Sequence, residues 1–168
     1  AILDGDTYGD ASAFMHLLAE GNILTMFRFS EFISPTPVDK RIFQLVMQDE
    51  ARHVSYGMQH LKWTIDHTPE RKEQLHSALD EGESITINQF DAALTECMIV
   101  LAGKGTKPEQ IAEGVKIVGQ LQIKQMQEYF QRLRRAGFED RIARSKFTPM
   151  LSQLGLTPEF TSKAAAEV

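Results

Sequence analysis

The chain has 168 residues, of which 42% are hydrophobic and 24% charged, and its 18 basic and 23 acidic side chains leave a net charge of −5. This acidic balance, without a basic run, argues against a nucleic-acid partner. The longest apolar run, Met98 to Ala102, is far shorter than the roughly 20 residues that a membrane span needs, so no membrane association is expected. The lone cysteine, Cys97, excludes an internal disulfide and is compatible with the cytoplasmic location we expect.

Apolar residues recur at helical spacing along most of the chain. The spacing predicts long helices over about 10–34, 37–66, 88–102 and 108–135. Segment 69–82 predicts a more polar helix, the stretch 85–87 is strand-like, and a short helix should follow Phe147. We therefore expect an all-α protein of long antiparallel helices joined by short turns.

Helix boundaries are also marked in the sequence. Thr-Pro pairs are typical of a helix start, with the hydroxyl as N-cap and the proline in the first turn. They occur at Thr36-Pro37, Thr68-Pro69 and Thr157-Pro158. Gly103 and Gly105 predict the end of one helix and the turn that follows it.

Polar residues interrupt the apolar stripes of the first two helices. Glu20 lies within a stripe formed by Ala13, Leu17, Leu24 and Phe27. Glu50 and His53 lie within a stripe formed by Ile42, Val46, Gly57 and Leu61. Because a carboxylate in a packed interior is costly unless it is paired or bound to a cation, these three residues predict a cation site.

The spacing of the three residues supports this prediction. Glu50 and His53 are three residues apart and therefore share one face of a helix. Glu20 and Glu50 are thirty residues apart, and the predicted turn at 34–37 lies midway between them. In an antiparallel hairpin, these two carboxylates should lie at nearly the same height.

Glu20 followed by the run Asp49-Glu50-Ala51-Arg52-His53 resembles the second half of the ferritin-like di-iron carboxylate site. The stretch 49–57 is especially similar to bacterial di-iron oxidases and oxygenases. The resemblance implies that Glu20 is a terminal ligand, that Glu50 bridges two irons and that His53 binds one of them. It implies for Asp49 a hydrogen bond to a histidine ligand of the other helix pair.

The resemblance implies half of a ferritin-like bundle over residues 1–67, with further helices over 68–168 packing on it in the same domain. The full site needs a second Glu and a second Glu-x-x-His, and residues 68–168 contain no such motif. We expect the other half to lie upstream of Ala1, which would make this chain the C-terminal part of a longer enzyme. The alternative is an identical second chain, giving a homo-oligomer as in encapsulated ferritins.

The function that the resemblance implies is O2-dependent oxidation of an organic substrate at two iron ions, with an electron donor as a further partner. A Mn/Fe or di-manganese centre is an alternative, because carboxylate-rich sites select weakly among these ions. Two other functions stay open. One is iron oxidation and storage at a dimer interface, and the other is a metal-free helical interaction protein.

Several further residues are weaker candidates for the site. The dry pocket beside the metal would use Leu17, Leu24, Phe27 and Val46. His16, one turn before Glu20, and Tyr56 could reach the same region, but a backbone-bonded histidine and a packing tyrosine are the simpler interpretations. Other minor features are His60 as a channel residue, Gln122 as a hydrogen-bonded core glutamine, and Gly21-Asn22 as either a π-bulge or a close helix contact. Val46 occupies the position where arylamine oxygenases of this superfamily have an extra histidine, which argues against that activity.

Overall fold

The computed structural model describes residues 8–88 and 92–156, and these residues contain helices and no strand. The first helical stretch comprises α1 (Tyr8–Ser12), a π-helical segment (Ala13–Ala19) and α2 (Glu20–Ile33). It is followed by α3 (Pro37–His67), a short 3-10 turn (Pro69–Arg71) and α4 (Lys72–Asn88). The remaining helices are α5 (Ala92–Gly103), α6 (Pro108–Arg135), α7 (Arg141–Arg144) and α8 (Thr148–Gln153).

Helices α2 and α3 form an antiparallel hairpin with a turn of three residues, Ser34–Thr36. Thr36 caps α3 as its sequence predicts, since its hydroxyl accepts a hydrogen bond of 3.1 Å from the backbone N–H of Asp39. Pro37 then occupies the first helical position, where no N–H is needed. This tight turn sets the register of the two helices and therefore the relative height of their side chains.

Helices α5 and α6 form a second antiparallel pair, and α6 also packs against α2. The main core lies where the π-helical segment, α3, α4 and α6 meet the C-terminal helices. Its fully buried members include Leu17, Leu61, Leu79, Phe130 and Phe138. Burial of this apolar surface is the main contribution that stabilises the arrangement.

The predicted all-α class is confirmed for the described residues, and the strand-like stretch 85–87, for which the sequence offers no partner strand, lies inside α4. Some local predictions about helix starts are not confirmed. Thr68 forms no side-chain cap, and Pro69 begins a 3-10 turn before α4. The start predicted at Thr157-Pro158 lies outside the described residues. No single described helix has the length and hydropathy of a membrane span. One bent pair of described segments, Pro69–Ile87 and Ala92–Gly103, meets both requirements when the two are taken together.

The N-terminal half of α3 is exposed on the face that α2 does not cover. The first buried residue of α3 is Val54, although the stripe predicted from sequence begins at Ile42. Ile42 is 52% exposed and Val46 is 37% exposed. The described part of the chain thus leaves one side of the α2–α3 hairpin open, and we call this surface the open face.

Candidate metal centre

Glu20, Glu50 and His53 lie together on the open face of the hairpin. Each offers one ligand atom, and these atoms all lie within 4.8 Å of one another. The carboxylate side chains are 13% and 16% exposed, whereas the imidazole of His53 is 61% exposed. The cluster therefore has a closed side formed by the two glutamates and an open side at the histidine.

The π-helical segment positions Glu20. The backbone N–H of Glu20 donates to the carbonyl oxygen of Met15, five residues earlier, as in a π-helix. The extra residue in this turn changes the direction of the side chains that precede α2. The sequence left a π-bulge and a close helix contact as alternatives for Gly21-Asn22, and the π-helical segment ends at Ala19, two residues before Gly21.

His16 belongs to the cluster's surroundings, and the simpler interpretation, a hydrogen bond to the backbone, is wrong. Its Nδ1 lies 2.5 Å from Oε2 of Glu20, and its side chain is largely buried. A Cβ placed on Gly57 would come within 2.1 Å of Cγ of His16. Gly57 of α3 therefore leaves the space that the imidazole needs to reach Glu20.

A buried arginine of α6, Arg132, contacts the π-helical segment. Nε of Arg132 donates a hydrogen bond of 2.8 Å to the carbonyl of Leu17 in the π-helical segment. Its guanidinium lies against Gly21, where a Cβ would come within 2.2 Å of Cζ. Burial lowers the pKa of Arg132 to about 10, and the nearby Glu128 opposes that shift. Gly21 is thus the close helix contact that the sequence offered as the other interpretation.

The two glutamates of the cluster repel each other. Burial raises the pKa of Glu50, and the charge of Glu20 raises it further, while His53 and His16 act in the opposite direction. Nδ1 of His53 lies 3.9 Å from Oε2 of Glu50. No hydrogen bond to Glu50 is formed by the described residues. A bound cation would relieve this repulsion directly.

The predicted pocket residues do not form one pocket. Leu17 is fully buried in the main core, and Phe27 packs on Phe43 with ring centroids 6.1 Å apart. Leu24 lines a cavity between α2, α3 and α6. Val46 lies on the open face, and Tyr56 is 59% exposed. Val46 and Tyr56 are not enclosed by the described helices, so their place in a pocket stays a prediction that needs a further helix pair.

The remaining candidates lie at the edge of the site. The carboxylate of Asp49 forms an exposed ion pair with Arg52 one turn later on α3. The ring of His60 stacks on Tyr56, with centroids 6.3 Å apart, and contacts Tyr8 edge-on. The described ring contacts of His60 are thus with Tyr8 and Tyr56, and its role as a channel residue stays a prediction.

Sequence reasoning missed the supporting residues Gly57 and Arg132. Gly57 appeared only as a member of the apolar stripe, although a glycine among large apolar residues of a helix signals close packing by another group. Arg132 gave no signal, since arginine is usually exposed and its partner carbonyl lies 115 residues away along the chain.

No protein-family model matches the chain, nor does any curated protein or solved structure.

Proposed function

We propose that this chain provides half of a carboxylate-bridged two-metal centre in an O2-dependent oxidoreductase with a ferritin-like bundle. The observation that carries the proposal is the approach of Glu20, Glu50 and His53 to within 4.8 Å, from two helices. The same three residues are those that the resemblance to di-iron carboxylate proteins selects.

The donor set suits a divalent transition metal. Two carboxylates and one imidazole are ligands that iron and manganese accept readily. The carboxylates are withdrawn from water, and the pKa of Glu50 is raised by burial and by Glu20, so a cation is the group that would neutralise them. His16 adds support, since carboxylates that bind metals are commonly held by a hydrogen bond from a neighbouring side chain.

The open face supports the other half of the proposal. Large apolar residues lie there beside the cluster, including Ile42, Leu45 and Val46. A second helix pair carrying a Glu and a Glu-x-x-His would cover these residues and complete the ligand set. That pair belongs either to the same polypeptide or to a second chain.

Each residue of the cluster and its immediate surroundings has a defined part in this proposal. Glu50 would bridge the two ions, while Glu20 and His53 would each bind one of them. His16 would hold the carboxylate of Glu20 in place, and the buried Leu17 would exclude water from the core side of the metal site. Two irons bound in this way would supply the redox chemistry that activates O2, with electrons from a separate donor and an organic molecule as substrate.

Titration with Co(II), followed by visible absorbance and NMR, tests the site. We expect one ion to bind at the cluster, and Glu50→Gln to weaken binding by on the order of 100-fold, because a direct ligand is lost. Glu31→Gln is the matched control, since Glu31 lies at the far end of α2 and bonds to Gln44. Equal Co(II) affinity in all three proteins would refute the metal site.

Iron analysis and near-ultraviolet absorbance of the complete assembly, repeated for Glu50→Ala, test the function. Bound iron with charge-transfer absorbance and O2 uptake that depends on an organic substrate support the oxidoreductase. Fe(II) oxidation without such a substrate, in a large shell, would indicate iron storage. An assembly without metal would indicate an interaction protein. Two tightly bound irons in a strictly monomeric chain of 168 residues would contradict the half-site.

A further inference from the structure

A groove lies between α2, α4, α5 and α6, and none of the described residues that line it is charged. It consists of two adjoining cavities of about 120 and 320 Å³, which share Asn22, Thr86, Gln122 and Gln125. We call it the amide groove. Asn22 follows Glu20 by two residues, which is about 200° around a helix, so the amide groove and the metal cluster lie on opposite sides of α2.

The carboxamides of the amide groove are not hydrogen-bonded to any of the described residues. Gln122 and Gln125 are three residues apart on α6 and share one face, and Asn22 approaches from α2. None of these three half-buried amides forms a hydrogen bond within the described part of the chain. The prediction of a hydrogen-bonded core glutamine at Gln122 is therefore wrong. The hydroxyl of Thr86 donates to the Gly82 carbonyl at 2.9 Å and keeps its acceptor capacity.

The walls of the amide groove are apolar and adaptable. Four of the seven methionines of the chain line it, together with Phe14, Leu121 and Phe147. Those methionines are Met26, Met98, Met126 and Met150. Methionine side chains are flexible and adjust to the shape of a ligand, and a concave apolar site with a few convergent polar groups is the usual form of a small-molecule site.

We propose that the amide groove binds an uncharged, largely apolar organic molecule that carries a hydroxyl, carbonyl or amide group. A charged ligand would lose its hydration on entering the groove, and the described lining residues offer no opposite charge to compensate for that loss. A pure hydrocarbon would desolvate three amides without giving them a partner. A neutral ligand with a polar group avoids both costs. This site goes beyond the proposed function and does not depend on it.

NMR with methyl-labelled methionine tests the proposal with three probes of one shape: naphthalenemethanol, naphthalene and naphthoate. We expect the alcohol to shift the methyl signals of the four groove methionines saturably, and the other two probes to bind more weakly. Gln122→Met keeps the volume but removes the hydrogen bond, and it should weaken alcohol binding about fivefold. Gln120→Met, at an exposed position of α6, is the control and should change nothing.

Three results would overturn the proposal. The first is equal affinity for the three probes, which would show partition into any apolar surface. The second is shifts at the methionines outside the groove, Met15, Met47 and Met58. The third is unchanged alcohol binding in Gln122→Met. Because Glu50→Gln lies on the other side of α2, it should leave probe binding unchanged, so failure of this site and failure of the metal site give different results.

Discussion

Glu83 and the pair Glu20–Glu50 are carboxylates withdrawn from solvent in the described part of the chain, and they differ in how fully protein donors bind them. Glu83 of α4 is fully buried, and its oxygens accept hydrogen bonds from four groups of α6 and the C-terminal segment. The donors are Tyr129 Oη at 2.7 Å, Arg141 Nε at 3.1 Å, Ser145 Oγ at 3.0 Å and Lys146 N at 2.8 Å. Glu50, by contrast, accepts no hydrogen bond from the described residues and faces the like charge of Glu20.

The difference separates a structural carboxylate from a candidate ligand. The Glu83 network attaches the segment after α6 to α4, and Arg141 extends it to the carbonyl of His76 at 2.8 Å and to Asp80 at 3.0 Å. A buried charge with complete hydrogen bonding holds elements together and leaves nothing for an external ion. Glu50 accepts no hydrogen bond from the described residues, and Glu20 contacts His16 through one oxygen, so both carboxylates keep lone pairs with which to bind a cation.

Removal of the buried carboxylate should have the largest effect on stability. Glu83→Ala removes the buried carboxylate that pairs with Arg141 and leaves this guanidinium with Asp80 and the His76 carbonyl. It should lower the free energy of unfolding by about 3–5 kcal/mol, measured by urea denaturation. Glu83→Gln, which keeps part of the hydrogen bonding, should lose less. Arg144→Ala removes the solvent-exposed ion pairs with Glu73 and Asp80 and should cost less than about 1 kcal/mol. Similar values for Glu83→Ala and Arg144→Ala would show that the network is not structural.

The second-largest effect on stability should come from filling the space that Gly57 leaves for His16. In Gly57→Ala the new methyl group would overlap the base of the imidazole, so α3 must shift, and we expect a loss of about 1–3 kcal/mol together with weaker Co(II) binding. Gly119→Ala is the matched control, since nothing lies within 4 Å of a Cβ there. It should raise stability by up to about 1 kcal/mol through helix propensity. Stabilisation by both substitutions would disprove the close contact of Gly57 with His16.

Removal of the negative charge at position 50 should stabilise the metal-free protein by less than about 1 kcal/mol at neutral pH, because the cluster is partly open to solvent. The pKa of Glu50 is raised in the folded state by burial and by Glu20, so its ionisation opposes folding. The advantage of Glu50→Gln should therefore be absent below the ordinary carboxyl pKa and grow as pH rises through the raised value. Urea denaturation across this pH range measures it. A stability advantage of Glu50→Gln that is independent of pH would contradict the raised pKa of Glu50.

The smallest effect should come from the exposed end of the α3 stripe. Ile42→Ser should change the stability of the isolated chain by less than about 0.5 kcal/mol, because this side chain is half exposed. Leu61→Ala, at the fully buried end of the same stripe, should cost about 2–5 kcal/mol. If Ile42→Ser also prevents assembly with a second helix pair, the open face is an interface. A large loss in the isolated chain would mean that Ile42 is already covered.

The amino-acid sequence by itself determined the helices and the register of the cluster. Helix periodicity, the Thr36 cap and the tight turn after α2 are local properties, and they are sufficient to place Glu20 and Glu50 at one height. They also place His53 on the same face as Glu50. Such features depend on residues close together in the chain, so the sequence pattern predicts them well.

Only the tertiary structure decided which faces are covered and which polar groups meet. The stripe on α3 looks uniform in sequence, yet it is exposed at Ile42 and buried at Leu61, because the packing of other helices ends near Val54. The contacts of Arg132 with Leu17 and of Arg141 with Glu83 join residues far apart in the chain, as does the fit of His16 against Gly57. Such contacts depend on how distant helices pack, and no local pattern records that.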